Sequence, residues 1–348
     1  MDMNWKSVFA VTLAVISWTA NGLLLFLIIF APNQKYIGKY RWLLASFAVF
    51  DMCFSAVDAL MVPVAHMQEY AYVFFGYCSI QYLPTAVAYA LTIIFVCFFC
   101  QSLCLLCFHF IYRYITLCDP YHWSSTIRPW QWASMATTVD VLHSLAYFLL
   151  TMSFLPRPEY NHLFRDAVYA AYGVLLTDDA GYMAVVYATK NDSGSYVVVW
   201  RTVALIAAIM ALLGSTAIVI VVCVCRILRA LAHPSISRTS RILQRQLFIA
   251  LLVQTVVPCI FSYLPVLSIF LLPLTGIPFG SIGNPILLST AIFPALDPMF
   301  IICFVSPYRN ALRQNLSRLS PFVLSKAPVS TSLQTSCSIL PCNPKSTQ

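Results

Sequence analysis

Seven stretches of this 348-residue chain, at about 8–30, 42–66, 86–112, 129–155, 202–225, 246–272 and 280–305, are long and apolar enough to cross a bilayer. A helix needs roughly 20 apolar residues to traverse the hydrocarbon core. No water is available there, so backbone N–H and C=O groups must pair within the segment, which a helix does. The expected fold class is therefore all-α, a seven-transmembrane helix bundle. Composition agrees: 60% of residues are hydrophobic and 9% are charged, whereas a soluble domain carries about 25% charged residues. The first stretch is too long for the apolar core of a secretory leader, and no small-residue cleavage site follows it, so it reads as the first span.

An odd number of spans puts the chain ends on opposite sides. The segments 31–41, 113–128, 226–245 and 306–348 hold 15 of the 20 Lys and Arg residues. The other side holds Lys6, Arg157, Arg165, Lys190 and Arg201. Positive residues are retained in the cytosol, so the N-terminus is expected outside and the C-terminus inside. The net charge of +8 sits in short clusters between spans, with no basic face carrying interleaved aromatics, which excludes nucleic acid as a partner. The lipid bilayer is the partner the composition demands.

The longest outer segment, about 156–201, is rich in tyrosine and contains Asn191-Asp192-Ser193, a glycosylation sequon on the side where glycosylation occurs. Asn315-Leu316-Ser317 has the same pattern on the cytosolic side. After the seventh span, Tyr308, Leu312, Leu316 and Leu319 fall on one helical face, the pattern of an amphipathic helix lying on the inner leaflet. The seven-transmembrane domain is thus expected over 1–320. The Ser/Thr-rich tail, 321–348, is expected to be disordered. Most of the 13 cysteines lie within apolar stretches, where Cys behaves as a small hydrophobe.

Four segments carry a resemblance: Leu24–Asp58, His109–Tyr114 (HFIYRY), Leu243–Pro258 (LQRQLFIALLVQTVVP) and Phe293–Arg309 (FPALDPMFIICFVSPYR). They resemble the nematode serpentine seven-transmembrane chemoreceptors of the Str class, which are G-protein-coupled receptors. The resemblance implies a chemosensory receptor that binds a small-molecule odorant and activates a heterotrimeric G protein. It also implies the plasma membrane, at the cilium of a chemosensory neuron, and no enzymatic activity. Against rhodopsin-type receptors the likeness is looser. Tyr112-Arg113-Tyr114 lacks the acid that precedes the arginine there, and Asp297-Pro298 lacks a downstream tyrosine. No cofactor is expected: no lysine lies between Lys190 and Lys326, which excludes a retinal Schiff base on the seventh span.

Acids inside a membrane are costly and demand a reason. Counted from the inner boundary at 1.5 Å per residue, Asp51 lies about 15 Å and Asp297 about 18 Å deep. The two share a level, where a common proton, water cluster or cation would relieve both; each being separately protonated is the simpler alternative. Asp58, His143 and Tyr263 lie about 22–27 Å in, within reach of an outside ligand, unless they satisfy one another. Pro258 and Pro265 interrupt the sixth span and favour a kink that can act as a switch. Arg113, Arg238 and Arg241 form a basic inner surface suited to a G protein, although basic residues also anchor topology. Cys97, Cys100, Cys104 and Cys107 line one helical face; four thiols on one straight helix cannot surround a metal, so helix packing is the better reading. Rival functions are a seven-helix ligand-gated channel, which needs a cytosolic N-terminus, and a small-solute transporter, which usually shows an internal repeat.

The topology makes a direct prediction. Asn191→Gln abolishes a glycosidase-sensitive mobility shift and Asn315→Gln leaves it intact. The opposite result inverts the chain.

Overall fold

The computed structural model describes residues 3–30, 38, 40–118, 128–155, 157–177, 180–232 and 238–319, without the side chains of 129, 238–241, 243, 318 and 319. Seven helical segments among them have the length and hydropathy of membrane spans: Asn4–Phe30, Tyr40–Met61, Thr85–Cys118, Trp130–Met152, Trp200–Ala232, Gln244–Thr275 and Gly283–Phe304. The fold is a seven-transmembrane bundle, as the hydropathy requires. The helices are α1 (Asn4–Phe30), α2 (Tyr40–Met61), a short α3 (Tyr77–Tyr82), α4 (Thr85–Cys118), α5 (Pro129–Met152), α6 (Pro158–Tyr172), α7 (Trp200–Ala232), α8 (Arg238–Pro258), α9 (Leu264–Leu271), α10 (Gly283–Ser289), α11 (Ile292–Phe304) and α12 (Ser306–Leu319). Residues 1–311 form one compact unit, and the part of α12 from Leu312 onward belongs to another. The tail from 320 onward lies outside the described residues.

One end of the bundle departs from the all-helical expectation. The second span stops at Met61, not at residue 66, and the chain turns into a strand. Val62 makes the turn with φ of 51°, a strained conformation for a β-branched residue. Strands β1 (Pro63–Gln68), β2 (Ala71–Gly76) and β3 (Tyr182–Val186) form an antiparallel sheet in the order β1-β2-β3. The long 156–201 segment is likewise structured: it supplies α6, β3 and a hairpin of β4 (Ala188–Lys190) and β5 (Tyr196–Val198).

Strand alternation explains why the sheet has two apolar faces. Ala65, Met67, Tyr72, Phe74, Met183 and Val185 turn toward the bundle core. Val64, Val73, Phe75, Tyr182 and Val186 turn the other way and pack under α6 through Phe164, Val168 and Tyr172. Those α6 residues recur at four-residue spacing, the amphipathic pattern of a covering helix. Pro158 at the start, Glu159 in the first turn and Gly173 in a left-handed cap delimit α6. Bundle, sheet and helix thus stack as three layers.

Hydrogen bonds tie the sheet to the rest of this end. Met67 and Gly280, in the turn between the sixth and seventh spans, exchange two backbone bonds of 2.8 and 2.9 Å. Asn284, at the start of the seventh span, accepts from the Ala65 N–H at 3.1 Å and donates to the Tyr172 hydroxyl at 2.9 Å. His66 reaches the same hydroxyl at 3.4 Å, and burial holds its imidazole below the ordinary pKa, in the neutral form. At the rim, Glu69 accepts from Tyr196 at 2.7 Å and Lys190 at 3.2 Å, which holds its carboxyl below the usual carboxylate range.

Gly181 shows how closely the sheet sits on the third span. A Cβ there would stand 2.5 Å from the Ala88 Cβ and 2.8 Å from the backbone of Ala88 and Tyr89. Backbone on both sides cannot give way, so Gly181→Ala lifts β3 from the bundle. Such a clash costs at least 1–3 kcal/mol, about as much as overpacking a core. A thermal-unfolding comparison in detergent checks this: the variant melts several degrees below wild type, whereas Gly194→Ala in the exposed hairpin turn costs less.

Candidate functional site

Beneath the sheet lies a cavity of about 80 Å³. The third span contributes Phe95, Phe99 and Cys100, the fifth Ile206, Ile209 and Leu213, and the sixth Val266, Ile269 and Phe270. Thr151, Phe154 and Leu287 complete the wall, and Tyr72, Phe74, Met183 and Val185 of the sheet form the roof. Apart from the Met183 thioether, Thr151, Tyr72 and Cys100 bring the only polar side-chain atoms. Thr151 Oγ1 is buried and has no hydrogen-bond partner among the described residues. An apolar pocket with one or two polar groups that fix orientation is the usual form of a small-molecule site.

Below the cavity, prolines break two spans, and neighbouring spans satisfy the carbonyls they leave. Pro298 has no N–H for the carbonyl of Pro294 four residues back. That carbonyl accepts instead from Ser17 Oγ at 3.1 Å and Asn21 Nδ2 at 3.0 Å, both on the first span. Pro265 leaves the carbonyl of Phe261 in the same way, and Ser289 Oγ of the seventh span donates to it at 2.6 Å. Between Pro258 and Pro265 the sixth span widens into a π-helical turn over Cys259–Tyr263, a frequent companion of kinks and functional sites.

Asp51 and Asp297 lie in this polar layer. Both are 0% exposed, and all four carboxylate oxygens lack a hydrogen-bond partner among the described residues. Asp297 is the acid that neighbours Asp51. Ser55 Oγ donates to the Asp51 carbonyl at 2.7 Å and bonds Ser17 Oγ at 2.7 Å, so the acids adjoin the Pro294 carbonyl layer. Two bare carboxylates side by side in a dry site repel and lack solvation.

At the opposite end of the bundle, Arg113 is 3% exposed. Its guanidinium lies over the Tyr40 ring at 3.7 Å and donates to Gln244 Oε1 at 2.8 Å. Tyr40 in turn bonds His109 Nδ1 at 3.1 Å. A desolvated cation–π contact contributes about 2 kcal/mol, and a hydrogen bond to a charged group about 1.5–3 kcal/mol. A tyrosine face and an amide therefore hold the arginine where the acid of the rhodopsin-type triplet is missing. Arg113 Nε and Nη2 keep unused donor capacity.

The family model of the serpentine-type seven-transmembrane G-protein-coupled chemoreceptors, Str, matches residues 6–313, nearly the whole chain. The chain belongs to this family. Serpentine receptor class r-10 of Caenorhabditis briggsae is 24% identical over 300 residues, covering 85% of this chain and 86% of that protein. Its Caenorhabditis elegans counterpart is 23% identical over 284 residues, covering 80% and 81%. G-protein coupled receptor str-33 of Caenorhabditis elegans is 23% identical over 301 residues, covering 84% and 86%. The protein is a multi-pass membrane chemoreceptor of the G-protein-coupled class.

In this chemoreceptor the residues singled out by sequence fall in several places. Tyr263 lies one ring from the cavity: it stacks edge-on against Phe99 at 5.5 Å, and its hydroxyl bonds Ser102 at 2.8 Å. His143 joins a network with Gln101 (3.4 Å) and Thr216 (3.5 Å), in which Gln101 also binds Asp140 and Ser144. Asp58 is buried with one unpartnered oxygen, and none of Asp58, His143 and Tyr263 forms the cavity wall. Pro258 starts the π-helical turn. Asn191 opens the exposed β4–β5 turn, where its Oδ1 accepts from Ser193 and Ser195. Arg238 and Arg241 lie on α8, with side chains outside the described residues. The cavity wall went unread in the sequence. Its one local signal is apolar residues at helical spacing on the third, fifth and sixth spans, which every core helix also shows.

The acid pair predicts strong coupling between its members. Asp51→Asn and Asp297→Asn are non-additive: the double variant signals, or unfolds, within about 0.5 kcal/mol of the worse single variant. Additive effects at equal surface expression separate the two sites.

Proposed function

We propose that this receptor takes a small, mostly apolar molecule from outside into the cavity beneath the sheet and activates a heterotrimeric G protein at the Arg113 end. The observation that carries the reading is the position of the cavity. It touches the proline-broken sixth span directly through Val266, Ile269 and Phe270, and Tyr263 through Phe99. It touches the seventh span through Leu287 and reaches Pro294 of that span along a line of rings, Phe74–Phe95 at 5.7 Å, Phe95–Phe54 at 5.5 Å and Phe54–Phe293 at 5.2 Å. A ligand that favours one packing of these rings shifts the helix arrangement in proportion to its differential affinity.

The 15-to-5 charge asymmetry supports the sheet end facing outside and the Arg113 end facing the cytosol. In this reading Asp51, Asp297 and Pro258 form the switch layer. Arg113, with Arg238 and Arg241, supplies the basic contact for the G protein; its unused guanidinium donors are buried here and suit a partner's carbonyls or carboxylates once the helices part. Asn191 carries a glycan on the outer hairpin, and the chemosensory cilium is the site of action.

The test is a panel of small odorants applied to cells that carry the receptor and a cAMP or calcium reporter. Ile206→Trp fills the cavity and removes the response at unchanged surface density. Arg113→Ala keeps ligand binding and lowers the maximal response at least tenfold. A full response from Ile206→Trp moves the ligand elsewhere, and normal coupling by Arg113→Ala reduces that residue to an anchor.

A further inference from the structure

The cavity has a neighbour. Where the fourth span ends and the fifth begins, a second, smaller hollow of about 30 Å³ lies at the rim of the sheet end. Its wall includes Arg157, Arg201, Tyr160, Ser153 and Thr202. Phe154 belongs to both walls and is the partition between the two spaces. Phe154 stands in the turn after the fourth span, not within a helix. Its carbonyl is fixed by the Ala184 N–H of β3 at 3.0 Å, while its ring remains a side chain on a turn. The fourth and fifth spans each pack along the third and barely meet one another, so the partition lies at a thin seam of the bundle.

The outer hollow is chemically unlike the inner one. Arg201 bridges the seam by donating to the Ser153 carbonyl at 3.4 Å. Arg157 pairs with Glu159 at 3.4 Å, with both side chains well exposed. Such an exposed pair is worth about 0–1 kcal/mol and is readily exchanged. Arg157, Arg201 and Tyr160 line the same hollow, and the Glu159 carboxylate stands beside the Tyr160 hydroxyl. With Glu159 as the acid in this group among the described residues, the mouth carries an excess positive charge.

We infer that the two hollows are the head and tail subsites of one ligand, a short-chain carboxylate whose acid group binds Arg157 and Arg201 and whose chain enters the apolar cavity past Phe154. The inference rests on the cavity being the ligand site. A guanidinium presents parallel donors that match a carboxylate. An apolar cavity of about 150 Å³ takes up the six carbons of benzene, so hollows of about 80 and 30 Å³ admit a tail of about four carbons with the carboxylate at the exposed mouth. A phosphate headgroup of an anionic lipid has related chemistry, and the experiment separates the two sources.

The probes are radiolabelled pentanoate and its neutral methyl ester, with purified full-length receptor at pH 7.4. Pentanoate binds at least tenfold more tightly than the ester. Arg201→Gln removes that advantage and leaves the ester unchanged. Phe154→Trp slows association of both. Affinity for pentanoate is the same in nanodiscs of phosphatidylcholine and in nanodiscs containing phosphatidylglycerol. Equal binding of acid and ester, no binding of pentanoate, or an equal loss of both probes in Arg201→Gln overturns the assignment, as does competition by phosphatidylglycerol, which makes the mouth a lipid headgroup site. Ester binding that disappears in Ile206→Trp while the acid holds no advantage refutes the head subsite alone and leaves the cavity reading intact.

Discussion

Every backbone polar group that leaves a regular helix inside or beside hydrocarbon must be met by another part of the protein. Much of this receptor follows from that constraint. In the sixth and seventh spans, Pro265 and Pro298 leave carbonyls that Ser289, Ser17 and Asn21 satisfy from neighbouring spans. These bonds join the first, sixth and seventh spans at the level of two buried acids. Each freed carbonyl takes its partner from a neighbouring span, so the break strands no polar group.

The same constraint shapes the sheet end. The chain between the second and third spans, and part of the chain between the fourth and fifth, pair their backbones with one another as β1-β2-β3. The sheet then has two apolar faces to bury. One roofs the cavity and the other is covered by α6. The cavity lies where the sheet meets side chains of the third to seventh spans. Its walls are rings and branched aliphatics, so occupancy changes how those rings pack, and the same rings lead to the proline-broken layer.

The span count was legible in the sequence because hydropathy over 20 or more residues is a strong signal. The shared level of Asp51 and Asp297 was legible because helical rise converts residue counts into depth. The sheet was not. Pro63–Gln68 and Ala71–Gly76 are apolar on both faces, so their alternation is hidden, and the first of them reads as a continuation of the second span. The 68–71 turn contains no Gly or Asn to mark a hairpin. Nor did periodicity reveal what holds Arg113. Tyr40 and Gln244 lie 73 residues before it and 131 after it, and no local pattern links positions so far apart.

The roof over the cavity underlies the proposed ligand recognition, and amide hydrogen exchange reads it directly. A hydrogen-bonded sheet buried on both faces exchanges only through its own opening. The amides of Tyr72–Phe75 and Met183–Val186 are therefore expected to exchange as slowly as those in the middle of the third span, and more slowly still when an agonist is bound. Exchange of these strands at the rate of the exposed 191–195 turn, unchanged by agonist, would contradict a fixed sheet above the site.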